Sequence, residues 1–371
     1  MVSGLSFGKT MRDPRLSKKE PMLFGLFVLS LVFFLLARFI PSSETGPLRG
    51  EMIAASRTMA DAMALLRKCR ETAKLAIDPD SDVNRTGIIG IRSSTITTTL
   101  GSLEAKRTTT NPNFAGLVVS LLREAGVKPG DAIAVGASGS FPGLILAVLA
   151  AAKTMDVTPL VQVSLCASQW GANHPEFHWL HMQTCLQKNG ILPFQPIAIS
   201  VGGDKDRGAD LPEEGRALLI HDMEGSEIPV IIEDELKANV EKRMRLYFEK
   251  AFEKKIKAFV NIGGSWANLG TDSEILHVRP GIGKISRFPP EDRQGVLYAM
   301  AAQDIPVIHL LYVKGLVQGN GLPWDPVPLP RPGEGDLYRM KGEDRRSFLV
   351  ISAAYLVLFV AVVVFGMRRS T

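Results

Sequence analysis

The chain has 371 residues, 46% of them hydrophobic, and a formal net charge of +5. That charge is confined to the ends: residues 1–20 carry a net +3, Arg368 and Arg369 supply the rest, and everything between is neutral. A neutral body removes the electrostatic case for a nucleic-acid partner, and basic ends read as orientation signals at a membrane surface.

The first predicted element is a membrane span, Met22 to Ile40, whose one charge, Arg38, lies close enough to the end to snorkel into the headgroups. The stretch is longer than the apolar region of a signal peptide, and Ala37-Arg38-Phe39 is a poor cleavage site, so a retained anchor is expected. Lys9, Arg12, Arg15, Lys18 and Lys19 precede it, which assigns residues 1–21 to the cytoplasm. A Pro/Ser/Gly linker (41–50) leads into a helix predicted over 51–77, where Met59, Met63, Leu66, Cys69 and Ala73 recur at spacings of three and four.

Up to about residue 318, β-branched runs then alternate with helical patterns. Strands are expected at Ile133 to Val135, Leu160 to Val163, Ile197 to Val201, Val230 to Ile232, Phe259 to Ile262 and Val307 to Tyr312. Helices are expected at 112–126, 142–155, 175–189, 212–224, 235–257 and 290–303, with Pro112, Pro142, Pro175, Pro212 and Pro290 placed where first turns begin. The alternation predicts an α/β fold over 51–320: a mostly parallel, doubly wound sheet with helices on both faces.

Residues 321–347 open with five prolines between Gly321 and Gly335 and read as a stiff spacer. A second span follows from Phe348 to Met367, 20 residues without a charge, which at about 1.5 Å per residue matches a hydrocarbon core of about 30 Å. Two spans return residues 368–371 to the cytoplasm and place the α/β body outside it. Arg339, Lys341, Arg345 and Arg346 oppose that orientation, but long loops are translocated largely regardless of charge. Cys69, Cys166 and Cys185 are too few for a disulfide framework or a zinc ribbon. They read as three buried small residues, with a Cys166–Cys185 bridge as the alternative.

Ligands in an open α/β sheet bind beyond the carboxyl ends of the strands. Three such loops combine small, hydroxyl and aromatic residues: Gly139-Ser140-Phe141, Ser168-Gln169-Trp170-Gly171 and Gly263-Gly264-Ser265-Trp266. Gly136-Ala137-Ser138-Gly139-Ser140 approaches the G-x-S-x-G nucleophile elbow but ends in serine. In the catalytic reading Ser138 or Ser140 is the nucleophile, with His309 or His277 as base and Asp272 as orienter. In the binding reading Gly136 to Gly143 is an anion cradle at a helix N-terminus. Neither a nucleoside-triphosphate nor a dinucleotide motif is present, so no cofactor is expected. Upstream, Ser93 to Thr99 and then Lys106-Arg107-Thr108-Thr109-Thr110 offer hydroxyls and two cations to a carboxylate-bearing chain, or form an exposed threonine-rich loop.

His174, His178 and His181 beside Glu176 share one face of a predicted helix, but without H-E-x-x-H no metal site is expected. Asp204, Asp206 and Asp210, like Asp78, Asp80, Asp82 and Asn84, lack the glycine and glutamate of a calcium loop and read as solvated turns or caps.

Two terminal spans around a body carrying LGSLEAKRTTTNPNFAG, VGASGSFPG, Gly202-Gly203-Asp204 and NIGGSWANLG resemble the poly-γ-glutamate system protein family. The resemblance implies an accessory membrane protein of poly-γ-glutamate synthesis or export. Its partners would be the membrane proteins of that machinery and the anionic polymer itself. It supplies no catalytic residues. From the residues, Lys106, Arg107, Gly136, Gly139, Ser168, Gly263, Gly264 and Ser265 are the expected ligand-binding set. The alternative is a serine hydrolase or transferase acting on the polymer or on a cell-wall amide.

Overall fold

The computed structural model describes residues 20–39, 47–341 and 345–368. These fall into two units, the terminal helices and a body from Pro47 to Gly342. In chain order the elements are α1 (Glu20–Phe39), α2 (Pro47–Thr72), α3 (Leu103–Thr109), α4 (Asn113–Glu124), β1 (Ala132–Ser138), α5 (Pro142–Thr154), β2 (Thr158–Ser164), α6 (Trp179–Lys188), β3 (Ala198–Ser200), α7 (Glu213–Glu224), α8 (Leu236–Ala251), β4 (Ile256–Ile262), α9 (Trp266–Leu269), β5 (Gly281–Gly283), α10 (Val296–Ala301), β6 (Val307–Leu310), α11 (Val313–Asn320), α12 (Asp336–Lys341) and α13 (Arg345–Arg368).

The strands form one six-stranded sheet in the order β3-β2-β1-β4-β6-β5, parallel throughout except for β5. Alternation along β1 shows why both faces are covered. Ile133, Val135 and Ala137 join the core built with α2, α4 and α5, whereas Ala132 and Ala134 join the one built with α8 and α10. In α5 the run Pro142 to Ala152 is wholly buried, as befits a helix that is apolar all round.

Several sequence expectations change. Val230 to Ile232 is no strand; Val230 makes an isolated bridge to Ile199. The sixth strand is β5, whose glycines carry no β-branched signal and which pairs through its backbone with Val307 to His309. The helix expected from Pro175 starts at Trp179, because the His178 side chain accepts from Leu180 N and caps it there. The one expected over 290–303 is split by Gly295 into a 3-10 turn and α10.

In the terminal unit, α1 and α13 meet through Ser30 Oγ and Tyr355 OH at 2.8 Å and through the rings of Phe33 and Tyr355. Both expected spans are therefore helices, but among the described residues no helix is long and apolar enough to cross a membrane.

Two features fix the body. The first is a buried ion pair between Arg243 on α8 and Asp206, which follows β3. Asp206 Oδ1 accepts from Ser164 and Ser200, and its Oδ2 accepts from Asn239 and from Arg243 Nη2 at 2.6 Å. Arg243 donates further to Asn239, Gln162 and Ser200. Asp206, expected in a solvated turn, is instead the centre of a saturated buried network.

The second is the proline-rich segment, which is a strap bound along the body and not a free spacer. Asp325 receives Arg107 in a two-point ion pair, Pro326 O accepts from Asn84, and Asn113 donates to Arg331 O and Glu334 O. Buried Tyr338 closes the strap by donating to Asn113 Oδ1 at 2.6 Å, with Ser56 Oγ at 2.8 Å. The expectation of three buried, unbonded small residues holds for Cys166 alone, and the Cys166–Cys185 alternative does not form. Cys69 on α2 bonds Cys185 on α6, and Cys166 is free and buried.

Asp206→Ala leaves Arg243 buried without its counter-charge and is expected to cost about 3–5 kcal/mol in urea unfolding. Reducing the Cys69–Cys185 bond, which spans 116 residues, is expected to cost about 4 kcal/mol in the same measurement.

Candidate functional site

From β1 the chain proceeds outward through β2 to β3, then returns to β4 on the other side of β1. The reversal opens a crevice between the carboxyl ends of β1 and β4, where an α/β sheet places its ligand. A cleft of about 580 Å³ lies there. All three loops singled out in the sequence reach it, contributing Ser138, Ser140 and Phe141, then Ser168, then Gly264, Ser265 and Trp266. Opposite walls come from Thr98 to Ser102 and from Gly203, Asp204 and Asp210.

Lys106 is the buried cation of this cleft. Its short helix α3 is started by Ser102, whose Oγ accepts from Ala105 N, and this capped turn carries Lys106 into the body at 3% exposure. Nζ donates to Ser140 O and lies 2.7 Å from Ser168 Oγ and 3.7 Å from the centre of the Phe141 ring. Burial lowers the Lys106 pKa to about 7, since the charged amine has lost water and gained no carboxylate. The serines are linked as well: Ser138 Oγ donates to Ser140 Oγ at 3.0 Å, and Ser140 Oγ accepts from Ser168 N at 3.0 Å. Ser265 Oγ is buried in the wall with no protein partner.

Of the expected site residues, Lys106, Ser138, Ser140, Ser168, Gly264 and Ser265 line the cleft, and Arg107, Gly136, Gly139, Gly263 and His309 do not. Arg107 is consumed by Asp325. Gly136 lies within β1, where a Cβ would meet the Asn268 amide at 2.6 Å, and a Cβ on Gly139 would meet Leu165 O at 2.6 Å. Both glycines serve packing. Gly263 turns the chain at φ +78° beside Ser138. The threonine hydroxyls of α3 and its cap bond back to their own helix, Thr108 to Glu104 O, Thr109 to Lys106 O and Thr110 to Arg107 O.

The expected triad does not assemble. His309 Nδ1 meets Asn261 Nδ2 at 3.0 Å, and burial lowers the His309 pKa to about 4, so the ring is neutral. His277 is exposed beside Glu274, and Asp272 caps Glu274 N and faces Arg293. What the sequence reading missed is that Lys106, not a histidine, meets a serine, and that Asp204 and Asp210 close one wall. No spacing rule joins residues 106 and 168, which the fold alone brings together.

The histidines form a separate cluster. His178 Nε2 meets Asp222 Oδ2 at 2.8 Å, and burial lowers the His178 pKa to about 4. His178, His181 and Asp222 each place one ligand atom within 4.8 Å of the others, so they are the group among the described residues that could hold a metal ion. His178 would first have to give up the proton it shares with Asp222.

The depressed Lys106 pKa sets a pH dependence. Between pH 7 and 10 the unfolded chain holds a proton on this amine that the folded chain sheds, so folding gains stability as pH rises and is pH-independent here below 7. Urea melts are expected to show wild type gaining on Lys106→Met across that window; a constant gap contradicts this. Arg107→Ala, which frees the strap, is expected to cost about 1–3 kcal/mol. Compared with known proteins, the chain matches no family model, no curated protein and no solved structure.

Proposed function

We propose that this protein is a membrane-anchored accessory component of poly-γ-glutamate synthesis or export, whose α/β body holds the polymer chain in the cleft at the ends of β1 and β4. The observation that carries the reading is the convergence of three serine- and glycine-bearing loops on one cleft with a single buried amine. A γ-linked chain offers amide groups and one carboxylate per unit. Hydroxyls and the Lys106 amine suit those groups, and the Phe141 and Trp266 rings suit the methylene segments between them. The loop motifs that resemble the poly-γ-glutamate system family each contribute to these walls, beside Ser168, which lies outside them.

Anchoring is supported by the terminal helices. Among the side chains described there, the exposed ones apart from Ser352 are apolar, Phe24, Phe27, Leu349 and Val357 among them, and the sequence from Phe348 to Met367 is free of charge. The Cys69–Cys185 bond supports a body on the extracytoplasmic side, where disulfides persist. The partners in this reading are the membrane proteins of the polymer machinery and the anionic chain.

Gly264→Val tests the reading. An added Cβ would meet nothing nearer than Leu269 Cδ1 at 3.8 Å, so the fold accepts it while the bulk enters the cleft. With the full chain in detergent micelles, titration calorimetry against oligo-γ-glutamate is expected to show binding by wild type and at least about a tenfold loss in the variant. In a polymer-producing cell, deletion is expected to change polymer yield, length or surface attachment; no change in any of them refutes the proposal.

A further inference from the structure

We infer that Ser168 and Lys106 form a serine–lysine catalytic pair for acyl transfer on an amide-linked substrate bound in this cleft. The pair rests on the cleft being the ligand site proposed above, but its chemistry is independent of that polymer's identity.

Three acceptors surround Nζ, and their chemistry fixes how a neutral amine sits among them. The Ser140 carbonyl oxygen can only accept, and the face of the Phe141 ring can only accept. These take the two N–H groups of a neutral lysine. The remaining neighbour, Ser168 Oγ, accepts from Nζ at 2.7 Å; once the amine is neutral, its lone pair is left for the Ser168 hydroxyl proton. Among the described residues no carboxylate pairs with Nζ and burial alone shifts the amine, so no counter-charge holds its proton. A lysine without an acidic partner, desolvated against a serine, is an established way to activate a hydroxyl nucleophile. The Ser168 backbone is held in turn, because its N–H donates to Ser140 Oγ. Ser265 Oγ, unpartnered in the same cleft, is a donor available to a developing oxyanion.

The step balances without an external co-reactant other than water or an acceptor amine. Ser168 Oγ bonds to the amide carbonyl carbon, its proton passes to Lys106 Nζ, and the carbonyl electron pair moves to oxygen. Collapse breaks the C–N bond, and the departing amine takes the proton from Nζ, leaving an ester on Ser168. Water or a second amine then attacks the ester, gives its proton to Nζ, and releases Ser168, which recovers that proton. Hydrolysis shortens an amide chain; attack by an amine transfers it.

The test uses the full chain in detergent micelles with an alkyl fluorophosphonate, read by intact mass and peptide mapping. A single phosphonyl adduct on Ser168 is expected, absent from Ser168→Ala. Lys106→Arg keeps the donors but cannot surrender its proton, and is expected to slow labelling by about 100-fold or more. Wild-type labelling should rise with pH and level off, with its midpoint near 7. The other titratable groups at the cleft are Asp204, Asp210 and Cys166; on the same helix Arg107 is tied to Asp325, and Glu104 accepts from Ser102. Burial raises the Cys166 thiol well above its ordinary value and so away from that midpoint. No adduct, an adduct on Ser138 or Ser140, equal labelling of Lys106→Arg, or a flat pH profile overturns the inference. Binding of oligo-γ-glutamate without labelling sinks the pair and spares the polymer reading; labelling without binding does the reverse.

Discussion

The architecture turns on the Arg243–Asp206 pair. Two opposite charges buried at the carboxyl ends of β2 and β3 are tolerable only if each remaining donor and acceptor finds a partner. Here Gln162, Ser164, Ser200 and Asn239 provide them, and in doing so lock two strands, helix α8 and the Gly202 to Asp210 loop to one another. Lys205 and Asp206 accept positive φ values to reach this arrangement. The reward is positional. Gly203, Asp204 and Asp210 are delivered to one wall of the cleft by a loop that would otherwise have no reason to hold still.

The opposite side of the cleft shows the converse choice. Lys106 is nearly as buried as Arg243, yet it has a carbonyl, a hydroxyl and an aromatic face where Arg243 has a carboxylate. An ion pair fixes protonation and geometry together; a desolvated amine fixes geometry and leaves protonation free to change. One fold thus contains a charged group serving as a structural pin and another whose proton can be exchanged. The difference lies in a single missing acid.

Much of this was legible in the residues. Near-continuous apolar strands, helices opened at Pro112, Pro142 and Pro212 and the three loops of serine and glycine all follow from local chemistry, and the structure brings those loops together as the sheet reversal demands. The rest depended on distant pairings. His309 has the right chain order for a triad but lies behind Asn261, and Arg107, which looks as available as its neighbour Lys106, is tied to Asp325 from beyond residue 320. Adjacent residues on a helix point in different directions, so one entered the cleft and the other met the strap. Gly136 and Gly139 read as ligand contacts because a glycine that lets a ligand approach and one that lets a neighbouring chain approach look alike in sequence.

The closure of the strap bears on how the body responds to force. Ser56 lies in its first helix, Tyr338 in its last, and the two hydroxyls bond each other, with Tyr338 donating on to Asn113. A pull that separates Pro47 from Lys341, the two ends of the body, therefore acts on this junction, which joins the helices at those ends.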